Sequence, residues 1–430
     1  MSEDSEKPSR SKNAGPSSPE RRTLLLGMGA AGGGAVIGAL TASNAIGDQL
    51  TARPEHDAAR EAQPFHGVHQ SGVVTPRPAT SMVASFDVLA TSRADLQRLF
   101  RTLTERIDFL MQGGTLPAGD PKFPPADSGV LGPQIVPDNL TMTVAVGASL
   151  FDERFGLEKA KPRHLVRMTQ FPNDALDDEI CHGDLLLQIC SNSNEANIHA
   201  LRDVVKNLPD LLMVRWKQDG FLRVEETSRK KTARNLMGFK DGTANPNAED
   251  ASLMNHIVWV QPGADEPAWA AGGTYQVVRI IRQLVERWDR TPLQEQQTIF
   301  GRDKVEGAPL GMKAEFDVPT YATDPKGEKI ALDSHIRLAN PRTAQTEANL
   351  ILRRPFNYSR GATKSGQLDM GLLFICFQSN LNDGFIAVQS RLNGEQLEEY
   401  IKPVGGGYFF VLPGVPTKDG YLGQGLFEST

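Results

Sequence analysis

The stretch from Leu185 to Leu208, LLLQICSNSNEANIHALRDVVKNL, carries the pattern that decides the fold class. Its first six residues are almost all apolar, and the Ser and Asn residues that follow are typical of a strand end and a helix cap. Apolar residues then recur at helical spacing, at Ile198, Leu201, Val205 and Leu208. The stretch therefore predicts a buried strand followed by a helix that packs through these residues.

The same strand-then-helix order occurs nearer the N-terminus. Met82 to Leu89 is strand-like, and Ser92 is placed to cap a helix. The apolar positions of that helix are Leu96, Leu99, Phe100, Leu103, Ile107 and Leu110. In the second half, the pattern predicts strands at Ile257 to Val260, Tyr275 to Ile281, Leu372 to Phe377 and Phe385 to Val388, and a helix from Glu395 to Ile401. These units predict an α+β protein of two ferredoxin-like domains with antiparallel sheets, at residues 82–225 and 226–430.

The first 45 residues differ from the rest of the chain. Arg21 and Arg22 precede Thr23 to Gly47, a stretch without a charged residue, which is typical of a signal peptide or a membrane anchor. Six glycines between Gly27 and Gly38 make it only weakly apolar, which favours a twin-arginine signal over a stable transmembrane helix. We expect cleavage after Ala45 and export to the periplasm or the cell exterior. Because the twin-arginine route carries folded proteins, the leader also hints at a cofactor.

Residues 46–81 show no sustained periodicity and are rich in Ala, Pro, His and Gln, so they predict a linker. A metal site at its His56, His66 and His69 is an alternative, but solvated histidines are the ordinary explanation.

Composition excludes some classes of function. The 430-residue chain has a net charge of −6 at pH 7, which gives no sign of nucleic-acid binding. Only three cysteines are present, and an extended Cys181 to Cys190 segment would hold those two too far apart for a disulfide. Neither a disulfide framework nor a cysteine-based metal site is therefore predicted.

Three short segments in the second half hold residues that could carry chemistry. Asp241 stands between two glycines in GFKDGTANP, residues 238–246. His335, in DSHIRLANPR at residues 333–342, is the only histidine in the last 170 residues. Arg353, in ILRRPFNYSRG at residues 351–361, follows an apolar run and is predicted to end a strand. Taken singly, each has an ordinary explanation: a surface turn, a structural histidine and a surface salt bridge. The polar stretch from Glu286 to Asp333 is predicted to be an ordered excursion around a site.

Taken together and in this order, the three segments resemble the dye-decolourising peroxidase family, and in particular its exported deferrochelatase/peroxidase branch. Three further stretches have the look of that family: GAPLG at 307–311, GLLFICFQ at 371–378 and GGGYFFVLPG at 405–414. The resemblance covers about Met82 to Gly414, plus the leader. It implies one haem b per chain, held in a pocket of the C-terminal domain.

The resemblance implies a role for each matching residue. His335 would bind the haem iron, and Asp241 and Arg353 would act on the peroxide, with Asn245 ordering water. The haem would also contact Gly242, Thr243, Ala244, Asn340, Pro341 and Arg342, and an apolar roof of Leu372 and Phe374. Arg342 or Arg337 could pair with a propionate. The acidic partner of the proximal histidine is expected near Asn380 or Asp383.

The implied function is a haem peroxidase that reduces hydrogen peroxide and oxidises phenolic or dye-like donors through an oxo-ferryl intermediate. The alternatives are release of iron from haem with the porphyrin left intact, and a haem carrier without turnover. Iron-uptake proteins and further copies of the chain are the expected partners. Donors too large for the pocket would need electron transfer through surface Tyr or Trp residues, and the candidates are Trp216, Trp269, Trp288, Tyr358 and Tyr400.

Overall fold

A computed structural model of the chain describes residues 58–116, 119–223 and 232–429. The predicted leader, its cleavage site after Ala45, His56 and the predicted domain boundary at 225/226 lie outside the described residues.

Long antiparallel strands and a few short helices make up the described part. The strands are β1 Thr80–Val88, β2 Gly114–Thr115, β3 Gln134–Ile135, β4 Thr141–Gly147, β5 Leu185–Ser191, β6 Leu212–Phe221, β7 Thr274–Gln283, β8 Leu352–Arg353, β9 Phe356–Ala362, β10 Leu368–Gln378 and β11 Ile401–Val411. The α-helices are α1 Arg93–Gln112, α2 Asn194–Asn207, α3 Ala251–Ile257, α4 Val285–Trp288, α5 Leu293–Phe300, α6 His335–Ala339, α7 Ala387–Leu392 and α8 Gln424–Glu428.

Single turns of other helical types connect these elements. The 3-10 turns are Ala58–Arg60, Ala148–Leu150, Glu158–Ala160, Asp178–Ile180, Ala268–Ala270, Tyr321–Thr323, Ala344–Asn349 and Gln396–Glu399, and a π-helical turn spans Asn382–Ile386. In the part of the chain that the structure describes, no helix has both the length and the apolar character needed to cross a membrane.

Nine of the strands form one sheet in the order β7-β11-β4-β5-β1-β6-β9-β10-β8. Strand β7 also pairs with β10, so the order closes into a ring. All of the pairings are antiparallel. One group of four strands, β4-β5-β1-β6, belongs to the first half of the chain, and the group β11-β7-β10-β9 belongs to the second. The predicted α+β class with antiparallel ferredoxin-like sheets is confirmed.

The first strand-helix unit has the predicted form. Helix α1 begins after Ser92, whose hydroxyl accepts a hydrogen bond from the backbone N–H of Asp95 at 3.1 Å. All six of the apolar residues predicted for its packed face are buried.

The second unit has the predicted strand and helix, but only part of the predicted packed face is right. Leu208 is buried and Leu201 packs against the core, whereas Ile198 and Val205 are 43% and 38% exposed. The buried side of α2 carries Ala196, Ala200 and Val204. Asn197, one of the polar residues on that side, donates to the Thr80 hydroxyl at 2.9 Å and accepts from Ser191 at 2.8 Å.

Three predictions for the second half are also wrong. Ile257 ends helix α3 and is followed by a turn, and Phe385 to Val388 lies in the π-turn and α7. The predicted helix from Glu395 to Ile401 is one 3-10 turn, after which Ile401 begins β11. Short apolar runs do not distinguish a buried strand from a buried helical turn. The strands predicted at Tyr275 to Ile281 and Leu372 to Phe377 are confirmed as parts of β7 and β10.

The described part of the predicted linker is packed against the fold. Phe65, Gln70 and Val73 are buried, and the Gln70 amide bonds with the backbone of Val144 and Leu412 at 2.8 Å. His69 Nδ1 donates a hydrogen bond to the Gly272 carbonyl at 2.8 Å, and its ring stacks on Trp259. Burial lowers the pKa of His69, although that hydrogen bond opposes the shift. The linker prediction is therefore wrong from Phe65 onward.

The three cysteines are buried and unbonded, as the sequence predicts. Burial raises the pKa of the Cys181 thiol to about 11, so it stays protonated at neutral pH.

Candidate active site

A deep cavity lies in the second half of the chain. Its empty volume is about 1810 Å³ with the open mouth included, and apart from Asn173 and Asp174 its walls come from residues between 235 and 403. A cavity of this size accepts a large flat ligand. The three motifs meet here, because Asp241, His335 and Arg353 all line the cavity. In the sequence, Asp241 and Arg353 are 112 residues apart.

One wall presents His335, the first residue of helix α6. Its Nδ1 lies 2.7 Å from Oε2 of Glu395, whose side chain is only 4% exposed. This acidic partner corrects the expectation of Asn380 or Asp383. Those two residues bond to each other instead, with Asn380 Nδ2 2.7 Å from Asp383 Oδ2.

Burial and the contact with Glu395 have opposite effects on the pKa of His335. Burial alone would lower the pKa of His335, but the charge and the hydrogen bond of Glu395 outweigh burial, so the pKa is raised. With Nδ1 committed to Glu395, Nε2 is the nitrogen that can bind a metal.

A second wall presents an acid-guanidinium pair. Arg353 Nη1 lies 3.0 Å from Asp241 Oδ1, and the two side chains are 26% and 16% exposed. Asp241 is held by its backbone N–H, which donates to the Ala233 carbonyl at 2.7 Å. Arg353 lies on β8, paired with Cys376 of β10. Asp241 and Arg353 line the same cavity as His335, so the two walls belong to one site.

Asn245 connects the two segments that carry this pair. Its Nδ2 donates to the Arg353 carbonyl at 2.8 Å, and its Oδ1 accepts from the Arg353 N–H at 2.8 Å. The Asn245 side chain does not line the cavity. Asn245 therefore positions Arg353 relative to Asp241, which differs from the predicted role of ordering water.

Glu315, in the excursion between α5 and α6, anchors the Asp241 loop. It accepts hydrogen bonds from Lys240 at 2.5 Å, from Thr243 at 3.0 Å and from Thr232. Burial opposes its ionisation, but these bonds and the Lys240 charge outweigh burial and lower the pKa of Glu315. The prediction of an ordered excursion around a site is borne out by this network, and Glu315 itself carried no sequence signal.

Two family models match the chain. "Dyp-type peroxidase, N-terminal" matches residues 70–222, and "Dyp-type peroxidase, C-terminal" matches residues 232–416.

The chain belongs to the Dyp-type peroxidase family.

Similar proteins place it more narrowly within this Dyp-type peroxidase family. The "Deferrochelatase" of Yersinia pseudotuberculosis serotype I is 59% identical over 415 residues, 96% of each chain. That of Escherichia coli O6:K15:H31 is 58% identical over 420 residues, 96% of this chain and 98% of the relative. Ferric DtpA from Streptomyces lividans, a solved structure, superposes with a TM-score of 0.78 at 34% identity, covering 88% of this chain and 100% of that one. The DyP-type peroxidase from Cellulomonas bogoriensis superposes with a TM-score of 0.76 at 34% identity, covering 86% and 99%.

The Dyp-type peroxidases are haem-dependent enzymes, and this chain is one of them. Its residues fit the cofactor: a carboxylate-backed imidazole can serve as axial ligand, and apolar side chains flank the cavity. Leu372 and Phe374, on alternate positions of β10, both face it as predicted.

Most of the predicted haem contacts line the cavity of this Dyp-type peroxidase. They are Gly242, Thr243, Ala244, Asn340 and Arg342, whereas Pro341 is absent from the wall. Arg337 is absent as well, because its guanidinium donates to the carbonyls of Ile330 at 2.8 Å and Asp324 at 2.9 Å. Of the two arginines suggested as partners of a haem propionate, only Arg342 lines the cavity. Wall residues without a sequence signal include Phe300, Arg302, Tyr321 and Phe385.

The five candidate aromatics for electron transfer are all buried, so the prediction that they lie at the surface is wrong. Two of them form a chain of ring contacts that leads to the site. His335 meets Phe300 at 5.9 Å between ring centroids, Phe300 meets Trp288 at 5.7 Å, and Trp288 meets Tyr400 at 4.9 Å. The structure thereby distinguishes Trp288 and Tyr400 from the other candidates.

Proposed function

We propose that the cavity would hold one haem b, that His335 Nε2 would bind its iron, and that Asp241 and Arg353 would act on the peroxide. One observation carries the proposal: a carboxylate-backed imidazole and a carboxylate-guanidinium pair share the walls of a single cavity. When bound, haem supplies the redox chemistry that moves electrons from an organic donor to peroxide.

Asp241 and Arg353 have different roles in the reaction with peroxide. Hydrogen peroxide must lose a proton from one oxygen and gain one on the other before its O–O bond breaks, and the Asp241 carboxylate can carry that proton between them. The Arg353 guanidinium stabilises the negative charge that develops on the oxygens. Their 3.0 Å contact holds both groups in place before the substrate arrives.

Glu395 supports the same reaction through its contact with His335. Its hydrogen bond to His335 Nδ1 fixes the tautomer and makes the imidazole a stronger electron donor.

A rapid-mixing experiment separates an enzyme from a haem carrier. The haem-loaded protein, mixed with stoichiometric hydrogen peroxide, should change its Soret spectrum within milliseconds and recover when a phenol is added. A spectrum that peroxide leaves unchanged would favour a carrier and contradict the catalytic roles of Asp241 and Arg353.

We also propose release of iron from haem as a second activity, because the relatives that are 58–59% identical over nearly the whole chain are named deferrochelatases. Here haem iron is the substrate. Iron-free porphyrin fluoresces and haem does not, so fluorescence that grows with time, together with colour from a ferrous-iron chelator, would support this activity. Loss of haem without free porphyrin would indicate destruction of the ring instead.

The cellular setting is a proposal that rests on the sequence. Arg21 and Arg22 support export by the twin-arginine route to the periplasm or the cell exterior. We propose that proteins of iron uptake interact with this enzyme. We also propose that the enzyme works as a homo-oligomer.

A further inference from the structure

Two acceptor oxygens on the cavity wall are buried without a hydrogen-bond partner among the described residues. They are Oε1 of Gln283 and Oε1 of Glu398. Gln283 is only 3% exposed, so its oxygen is shielded from bulk solvent. Buried acceptors are nearly always hydrogen-bonded in folded proteins, so a buried oxygen left free on a cavity wall indicates a ligand that donates to it.

The two oxygens belong to neighbouring segments. Gln283 is the last residue of β7 and pairs with Ile401 at the start of β11. The next residue, Leu284, donates its N–H to the Tyr400 carbonyl at 2.8 Å. Glu398 lies in the Gln396–Glu399 turn that leads directly into β11. We call this part of the cavity the Gln283-Glu398 corner.

The surroundings of the corner are mostly apolar. Ile281 precedes Gln283 by two residues and therefore faces the cavity from the same side of β7. Leu397, Ile401 and Pro403 also line the cavity. The guanidinium of Arg279, further along β7, is held by a buried ion pair with Asp174. The corner thus offers acceptor oxygens in an apolar setting, which matches an aromatic ring that bears a hydroxyl group.

We propose that the Gln283-Glu398 corner binds the hydroxyl group of a phenolic electron donor. The proposal rests on the proposed peroxidase function and adds the site of its second substrate. The phenol has a single hydroxyl hydrogen, which it shares between Gln283 Oε1 and Glu398 Oε1 in a three-centre hydrogen bond in the bound state. That proton passes to Glu398 Oε1 when the phenol loses an electron.

The chemistry balances over one turnover. Each of two phenols loses one electron to the oxidised cofactor and breaks its O–H bond, with the proton passing to Glu398. The two electrons and two protons reduce one hydrogen peroxide to two waters, and two phenoxyl radicals leave. Glu398 is only partly buried, so it can return its proton to solvent between the two events.

Binding without peroxide tests the role of Gln283. Haem-loaded protein is titrated calorimetrically with phenol and with anisole, which has a methyl group in place of the hydroxyl hydrogen. We expect phenol to bind about tenfold more tightly, because a site built around a hydroxyl group disfavours an analogue without it. Gln283→Met, which has a similar shape but no acceptor oxygen, should reduce the preference to about twofold or less. Gln283→Glu keeps an acceptor and should retain the preference.

Turnover tests the role of Glu398. Ferrocyanide gives up an electron without a proton, so it serves as the reference donor. In Glu398→Gln, kcat for phenol divided by kcat for ferrocyanide should fall about tenfold or more, since proton transfer to a positioned base contributes at least that much. The matched control is Glu399→Gln, an adjacent carboxylate that is 52% exposed and paired with Arg287, and its ratio should match that of the wild type.

The outcomes discriminate between the two proposals. Equal affinity of the wild type for phenol and anisole, or a preference that survives in Gln283→Met, would overturn the assignment of the corner. An equal loss with both donors in Glu398→Gln would show a structural effect and overturn the proton-transfer role. Selective binding of phenol without turnover of either donor would contradict the peroxidase mechanism while supporting the binding site.

Discussion

The Nδ1 atom of His335 lies 2.7 Å from Oε2 of Glu395, a carboxylate with 4% exposure. A buried acceptor of full charge pulls the ring proton toward itself and makes Nε2 a stronger donor to a metal. A stronger donor stabilises ferric over ferrous iron, so if His335 holds the iron as proposed, we expect this contact to lower the reduction potential of the haem.

Replacing the partner should therefore raise that potential. We expect Glu395→Gln to retain haem and to raise the ferric/ferrous midpoint by on the order of 60 to 120 mV, which corresponds to a ten- to hundredfold change in the ratio of the two states. Spectroelectrochemical titration measures it. Glu399→Gln is the control, and a Glu395→Gln midpoint equal to that of the control would show that the carboxylate does not act on the ligand.

Removal of the ligand itself should abolish cofactor binding. Among the described residues, no second histidine lines the cavity, so we expect His335→Ala to lose most of the haem, as measured by the pyridine haemochrome assay. Addition of imidazole, which can enter the vacated space, should restore part of the binding. Full haem occupancy with an unchanged spectrum in the variant would contradict the axial assignment.

Local motifs and distant partners differ in how well the sequence predicts them. Asp241, His335 and Arg353 each stand in a short motif, and the resemblance of the three motifs taken together to one family singles them out in the sequence. Glu395 is 60 residues from His335 and lies at the start of a single 3-10 turn that sequence patterns describe as an ordinary polar helix. Only the closed sheet brings the two together.

A second difference between the prediction and the structure concerns the buried face of α2. In α2, Ile198 and Val205 of the predicted face are exposed, while Ala196, Ala200 and Val204 are buried. The pattern of the larger apolar residues predicts a different face because alanine gives only a weak hydrophobic signal. The same limit applies at Ile257 and Phe385, where short apolar runs form helical turns.

The proposed export should depend on the two arginines of the leader. Replacing both, as Arg21→Lys with Arg22→Lys, should leave the protein in the cytoplasm with its leader uncleaved, because the twin-arginine machinery reads the guanidinium pair. Cell fractionation and the mass of the purified chain measure the outcome. The single Arg10→Lys variant, upstream of the pair, is the control. Unchanged export of the double variant would show that another route reads the leader.

The Glu315 network should make stability depend on pH in a defined direction. The folded pKa of Glu315 lies below its ordinary value of 4.5, since its hydrogen bonds outweigh the effect of burial. Its ionised form therefore stabilises the fold fully above about that pH, and the contribution is lost as pH falls through the folded pKa. We expect Glu315→Gln to lower the free energy of unfolding by about 1 to 3 kcal/mol at pH 7, because Lys240 is left without its charged partner.

The test of this prediction is urea denaturation of both proteins at several pH values. The difference between wild type and Glu315→Gln should shrink as the pH falls below the ordinary pKa of the carboxyl group. Asp317→Asn is a nearby control whose carboxylate bonds only to its own turn, at Lys313 and Ala314. A difference that stays constant down to the lowest accessible pH would rule out the ionised carboxylate as its source.

The two adjacent arginines at the end of β8 should differ sharply in their effect on catalysis. Arg353 contacts Asp241 in the cavity, whereas the buried Arg354 donates to the carbonyls of Thr75 and Pro76 and is absent from the wall. Arg353→Leu should keep haem, which is held from the His335 side, and lose about a hundredfold or more in the rate of the peroxide step, a loss of roughly 3 kcal/mol of transition-state stabilisation. Arg354→Leu should instead lower the melting temperature. Stopped-flow rates and thermal unfolding of the two variants measure these effects, and near-normal peroxide reactivity in Arg353→Leu would exclude this guanidinium from the step.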